Sequence, residues 1–431
     1  MKKNLFGWLA MAAMLVGTGC STDEVVNDYS PENAIQFGTY VGRDAQGRAS
    51  IISADDLATL GFGVFTYYTD SETKNEVYDK DYSIPNFMYN QKVEGILSST
   101  QADNKETNAS DVTTWTNGWY YSPLKYWPND VNDKLTFFAY APYSDSNADV
   151  DSPETYDNIS FPVQTSMIGD PIISFTVNDE VKNQTDFLIS KTDNRNMVKN
   201  ATPGVSTTNE VNFQFVHALA RIGFTVKAIV DDVDGTPNKA LDANTTIVVK
   251  KVVLAGEAGV LNAEPTAGCF YTQGTVNLNQ QNVNVVDGTT GRYQNVNWTT
   301  TGSLQRFILT DGHFKDETGT NDTRGFILNN ENSEGPNDLN KAGSYIMVIP
   351  QDFTSGGLYV YVEYDVITTD PAVGNSTVTN HISTEVNNIN FQSGKAYLLN
   401  LQLGMTSVKV TTSVENWSTE SGTSVDLPAN T

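Results

Sequence analysis

Three histidines, His217, His313 and His381, are the only imidazoles in this 431-residue chain. They lie far apart, and none has a metal-type spacing to a second donor. His217 falls on the apolar parity of an alternating stretch, the position of a packed or hydrogen-bonded structural histidine. No G-x-S-x-G, H-E-x-x-H or C-x-x-C pattern occurs. Gly61-Phe62-Gly63 lacks the third glycine of a nucleotide loop and precedes a strand-like run. Asp231-Asp232-Val233-Asp234-Gly235 has the acid density of a calcium loop. With Gly235 in the glycine position, however, Val230 falls where the first ligand belongs, so the stretch reads as a solvated turn. The 51 acidic residues offer many carboxylate pairs for glycoside hydrolysis, none marked out by its surroundings. These residues predict no enzyme, no cofactor and no metal.

Chemistry of another kind sits at the N terminus. Lys2 and Lys3 precede the apolar run Leu5–Val16, and small residues then lead to Cys20. The run is shorter than the ~20 residues of a membrane-spanning helix and fits the hydrophobic region of an export signal. Residues 1–19 are therefore read as a signal peptide ending at a bacterial lipobox, with Cys20 acylated as the new N terminus. Cys269 is then the one remaining cysteine, so no intrachain disulfide is available. Trp115, Trp119, Tyr120, Tyr121, Tyr126 and Trp127 form the densest aromatic cluster. Two readings stay open for it: ligand contact by Trp115, Trp119, Tyr121 and Trp127 as a sugar-stacking platform, or packing over the edge of a sheet beside prolines.

The elements that position these residues are strands. Ile35, Phe37, Thr39 and Val41 alternate with polar or small neighbours, giving a strand over Ala34–Val41. A Gly-bracketed polar loop with Arg43 and Arg48 follows it. Phe62–Tyr68 is apolar on both parities, as in a strand covered on both faces. Val211, Phe213 and Phe215 place the apolar face on odd positions, whereas Ile222, Phe224 and Val226 place it on even ones. A strand cannot change parity without turning its core face to water, so residues 217–221 must hold a bulge or bend. Leu358–Val366 alternates most cleanly, with Tyr359, Tyr361, Glu363 and Asp365 expected on a wet face. No stretch sustains a helical period. The pattern predicts an all-β protein of two tandem antiparallel β-sandwich domains, divided in the polar stretch 192–210. The formal net charge of −25 sets the chain against nucleic-acid backbones and anionic membranes, so no nucleic-acid partner is expected.

An ordered set of motifs resembles the fimbrillin-family lipoproteins of Bacteroidetes. It comprises the lipobox Cys20 with the acidic residues after it, Ile35-Gln36-Phe37 followed by Arg48-Ala49, Gly61-Phe62-Gly63-Val64-Phe65 and Lys125-Tyr126-Trp127-Pro128. Leu135–Pro142, Val211–Ile222, Ile349-Pro350-Gln351 and the run from Gly394-Lys395-Ala396-Tyr397 to Trp417 complete it. The resemblance implies two transthyretin-like domains and a subunit of surface fimbriae (type V pili) at the cell outer membrane. It implies an arginine-specific cut in the loop after the first strand, matching Arg48–Ala49 here, with Arg43 as a rival because Gly47 stands where many members carry threonine. On that basis 20–48 is a lipidated propeptide, 49–205 an N-terminal domain and 206–431 a C-terminal domain with a donor-strand-like tail. Other pilus subunits are the expected partners, with a host or bacterial receptor as a further one. The alternative is a monomeric surface lipoprotein that binds glycans or host proteins through the aromatic cluster.

Overall fold

A computed structural model describes residues 34–41, 54–70, 78–79, 81–95, 119–128, 133–145, 156–190, 210–228, 241, 243–260, 263–279, 296–310, 326–328, 334–335, 345–416 and 425–427. The order begins β1 (Gln36–Val41), α1 (Ala54–Leu60), β2 (Phe62–Thr69), β3 (Met88–Gly95), β4 (Trp119–Tyr120), β5 (Lys134–Ala141), β6 (Ile159–Ser160), β7 (Ile172–Thr176) and β8 (Leu188–Ser190). It continues with β9 (Glu210–His217), β10 (Ala220–Ala228), β11 (Thr245–Ala255), β12 (Phe270–Asn277), β13 (Trp298–Gln305), β14 (Phe307–Ile308), β15 (Phe326–Leu328) and β16 (Glu334–Gly335). The last strands are β17 (Ile346–Val348), β18 (Asp352–Phe353), β19 (Tyr359–Asp370), β20 (Gly374–Glu385), β21 (Ile389–Asn390), β22 (Lys395–Leu403), β23 (Val408–Asn416) and β24 (Val425–Leu427). The protein is all-β, as its alternating patterns predict.

The first sheet has the order β1-β9-β8-β5-β2-β3-β4. Every pairing in it is antiparallel except β1 on β9, which is parallel. Strand β2 is central and buried on both faces, which explains its apolar residues on both parities. Phe62 and Val64 face one core with Phe137, Phe213 and Phe215, while Phe65 and Tyr67 face a larger core that runs into the C-terminal half.

The parity change after β9 is a crossover between sheets. Val211, Phe213 and Phe215 line the first core, whereas Ile222, Phe224 and Val226 line the larger one. Between them Ala218 and Leu219 leave the strand, and β10 enters a second sheet of order β16-β10-β22-β23-β24. The bend is buried and tied on several sides. Ala218 N–H donates to the Phe187 carbonyl, and the Ala218 carbonyl accepts from Trp298 Nε1 and Ser393 Oγ.

Two expectations need correction. The division at 205/206 does not fall between sheets, because β9 lies beyond it yet belongs to the first sheet. Strands β6 and β7 moreover pair into a four-stranded sheet with β12 and β13, of order β13-β12-β7-β6. The polar stretch 192–210 joins β8 to its sheet neighbour β9, so its composition marks a connection within one sheet. The second correction concerns β19, in the sheet β14-β11-β19-β20. Val360, Val362, Tyr364 and Val366 are buried as expected, but Tyr361 on the opposite face is buried too. It clusters with Val253, Ala255 and Ile308. A Cβ built on Gly259 would lie 2.8 Å from the Tyr361 ring, so the segment after β11 folds over that face.

Candidate functional site: the seat of the N-terminal strand

Strand β1 lies at one end of its sheet, with Phe37 opposite Val211 and Val41 opposite Phe215. Ala34, Ile35 and Phe37 are wholly buried. The Phe37 ring is stacked on Phe213 at 5.7 Å and meets Tyr121, Phe62 and Phe137 edge-on at 5.2, 6.2 and 6.3 Å. Such offset and edge-on arrangements suit the ring quadrupoles and add to the burial of apolar area.

A second wall stands on the far side of Ile35. Ile35 N–H donates to the Lys125 carbonyl at 2.8 Å, and the Tyr121 hydroxyl donates to the Ile35 carbonyl at 2.8 Å. Ala34 and Tyr126 form an isolated antiparallel bridge. The start of β1 is therefore gripped between β9 and the segment 121–126. The Tyr121 hydroxyl also accepts from the Lys125 N–H at 3.3 Å and lies 3.2 Å from the Lys125 carbonyl. Burial pushes the Tyr121 phenol well above its usual pKa, so it remains a protonated donor. The sequence reading missed this grip, which uses one side-chain hydroxyl and otherwise main chain. Its visible trace is the Lys125-Tyr126-Trp127-Pro128 motif. Lys125 Nζ lies 5.6 Å from the Phe87 ring, a packing position.

Of the described members of the aromatic cluster, Trp119, Tyr120, Tyr121 and Trp127 are interior and Tyr126 is half-buried. Trp119 is 9% exposed, Tyr121 1% and Trp127 8%, and they pack against Phe62, Phe37 and Phe137. Buried as they are, they offer no sugar platform, which corrects the ligand-contact reading for these three. Trp115 lies outside the described residues, as do Cys20, Arg43, Arg48, Ala49, His313 and Asp231–Gly235.

The remaining candidates are structural. His217 Nδ1 lies 2.8 Å from Asp186 Oδ2 in a buried pair beside the crossover. His381 Nδ1 meets the Tyr361 hydroxyl at 2.8 Å. Gly61 ends α1 at φ +69°, its N–H donating to the Leu57 carbonyl. Burial raises the Cys269 thiol to about 12, which makes it unreactive. Among the described residues no group of three or more His, Cys, Asp or Glu could hold a metal ion, and no helix is long and apolar enough to cross a membrane. The site holds the chain's own first strand, through one row of main-chain pairing, one grip and a lining of aromatic rings.

The sequence matches the fimbrillin-like family over residues 62–417, and the chain belongs to that family. A curated relative, the fimbrium subunit Fim1C of Phocaeicola vulgatus (strain ATCC 8482), is 26% identical over 433 residues, covering 97% of this chain and 98% of that protein. The crystal structure of a fimbrial protein from Bacteroides vulgatus ATCC 8482 superposes with a TM-score of 0.58 at 22% identity, covering 89% of this chain and 99% of that one. That likeness shows a shared fold.

Proposed function

We propose that this chain is a structural subunit of a cell-surface fimbrium, exported as a lipoprotein anchored at Cys20 in the outer membrane. Assembly follows by strand exchange after cleavage at Arg48–Ala49. The observation that carries this reading is the seat of β1. An end strand whose Phe37 is wholly buried, with Ile35 buried just before it, leaves, once removed, an open β9 edge above an apolar groove. Such an edge is a template for a strand from another chain. Each fully buried Phe or Ile contributes roughly 1.5–3 kcal/mol, so a seated donor strand makes a long-lived joint.

Arg48 is the better placed arginine. It falls near the middle of the connection between β1, which ends at Val41, and α1, which begins at Ala54, whereas Arg43 is two positions past the strand. The C-terminal tail is the favoured donor. Strand β23 lies between β22 and β24 and contributes Val410 to the larger core, so it is costly to withdraw. The short β24 is the end strand of its sheet, and its Val425-Asp426-Leu427 repeats the alternate spacing of Ile35 and Phe37. Partners are thus other copies or other fimbrial subunits. Adhesion is a property of the assembled fibre, and the buried cluster gives the glycan-binding alternative no support.

The test is Arg48→Ala in the exporting cell. Wild-type protein is expected to begin at Ala49 and to run as high-mass, SDS-resistant ladders. The variant is expected to stay monomeric with residues 20–48 and the lipid attached. Ladders built from Arg48→Ala chains that retain residues 20–48 would sink the cleavage step. Cleavage after Arg43 in either protein would move the cut site.

A further inference from the structure

The grip on Ile35 has a direction built into it. The Lys125 carbonyl can only accept a hydrogen bond, and the amide it takes is that of Ile35. The Tyr121 hydroxyl, placed beside it, donates to the carbonyl of the same residue. One residue of an extended strand offers its N–H and C=O on the same side but in an order set by the chain direction. A strand entering the seat the other way, at the same place, would put its carbonyl against the Lys125 carbonyl and its N–H against the hydroxyl. Two carbonyl oxygens would then face each other with no proton between them, in a site where Ile35, Tyr121 and Ala34 are all buried from water.

We propose that Tyr121 and the main chain of Lys125 form a clasp that reads strand polarity. It admits only a strand running parallel to β9 and fixes the residue at which that strand begins. In the intact chain the occupant is β1. In the fibre, and resting on the strand-exchange reading above, it is the C-terminal tail of a second copy of this chain, held parallel to β9. The clasp is braced within its own segment, because the Tyr121 hydroxyl accepts from the Lys125 N–H at 3.3 Å and lies 3.2 Å from the Lys125 carbonyl, contacts that do not depend on the occupant. The antiparallel bridge between Ala34 and Tyr126 extends the same discrimination by one residue.

The test uses full chain cut in the loop after β1 by an arginine-specific protease. Displacement of the cleaved fragment is followed with three labelled peptides. These are residues 34–41, the same peptide N-methylated at the Ile35 amide, and the same sequence reversed. The native peptide is expected to bind roughly tenfold or more tighter than either other one, the equivalent of about 1.4 kcal/mol or more. Tyr121→Phe, which keeps the ring, is expected to weaken the native peptide about tenfold. Should that variant fail to fold, the three peptides on wild-type protein still decide the matter. Equal binding of the native and reversed peptides, or of the native and N-methylated ones, overturns the clasp whether or not ladders form. Peptide discrimination without any ladder leaves the clasp as the lock on β1 and removes the strand-exchange reading instead. A peptide of residues 420–431 that binds wild type but not Tyr121→Phe supports the tail as occupant. One that binds both equally removes it from the clasp.

Discussion

Phe37→Ala is expected to lower the stability of the intact chain by about 3–5 kcal/mol, the range for removing a large buried aromatic side chain. Its ring has no exposure and touches four other rings, from Phe62, Tyr121, Phe137 and Phe213. Three of those partners come from β2, β5 and β9, each fixed in its own strand pairing, and Tyr121 is held by its bonds to the Lys125 main chain, so the cavity cannot collapse around the smaller residue. Urea unfolding should show a lower midpoint with an unchanged slope, the mark of lost stability without a change in the surface exposed. If assembly proceeds by the proposed strand exchange, the same substitution should have no effect on assembled fibres, because Phe37 would leave with the cleaved segment. Phe213→Ala, on the strand that stays, should weaken both forms. Equal loss from Phe37→Ala in precursor and fibre would mean that β1 never departs.

Gly63→Ala is the second large effect. A Cβ at position 63 would stand 2.3 Å from Cε1 of the Tyr140 ring and 2.6 Å from Asn90 Oδ1. Neither neighbour can yield easily. The Tyr140 hydroxyl donates to Asn90 Oδ1 at 2.7 Å and lies 3.0 Å from the Ser144 carbonyl, while Asn90 Nδ2 holds that same carbonyl at 2.9 Å. The ring itself is stacked on Phe65 at 5.9 Å and meets Phe161 edge-on. Overpacking of this kind costs about 1–3 kcal/mol, occasionally more, and the locked ring places the variant at the upper end. Tyr140→Leu should relieve part of that cost in the double variant, since residues in contact couple. Strict additivity in thermal and urea unfolding would mean that the clash is absorbed elsewhere. The Gly61-Phe62-Gly63 run thus has a structural role throughout: Gly61 turns the chain at positive φ out of α1, and Gly63 leaves room for a tyrosine.

Much of this molecule is legible in its residues taken a few at a time. Alternation over β9 and β10, and its absence over β2, reports which sides of each strand are covered, because side chains of a strand point alternately to its two faces. The opposed parities around His217 announce a bend, and the chain there passes from one sheet to another. The ordered family motifs, each a short local run, point to the fimbrillin-like family that the chain belongs to. All of these signals are local, carried by residues within one strand or one turn.

What the sequence does not carry is which strands become neighbours. Strand β1 lies parallel to β9, a partner far along the chain, and β7 pairs with β12 across the expected domain boundary. Main-chain bonds between strands are made by groups common to every residue, so composition holds no record of the pairing. The same gap hid the fate of Trp119, Tyr121 and Trp127, whose rings look available until β2, β1 and β5 bring Phe62, Phe37 and Phe137 against them. It hid Tyr361 as well, covered by a segment folded over the face that alternation had assigned to water. The residue types determine an all-β chain with an apolar first strand. Only the tertiary structure decides that this strand is an end strand, gripped at its first residues by Tyr121 and Lys125.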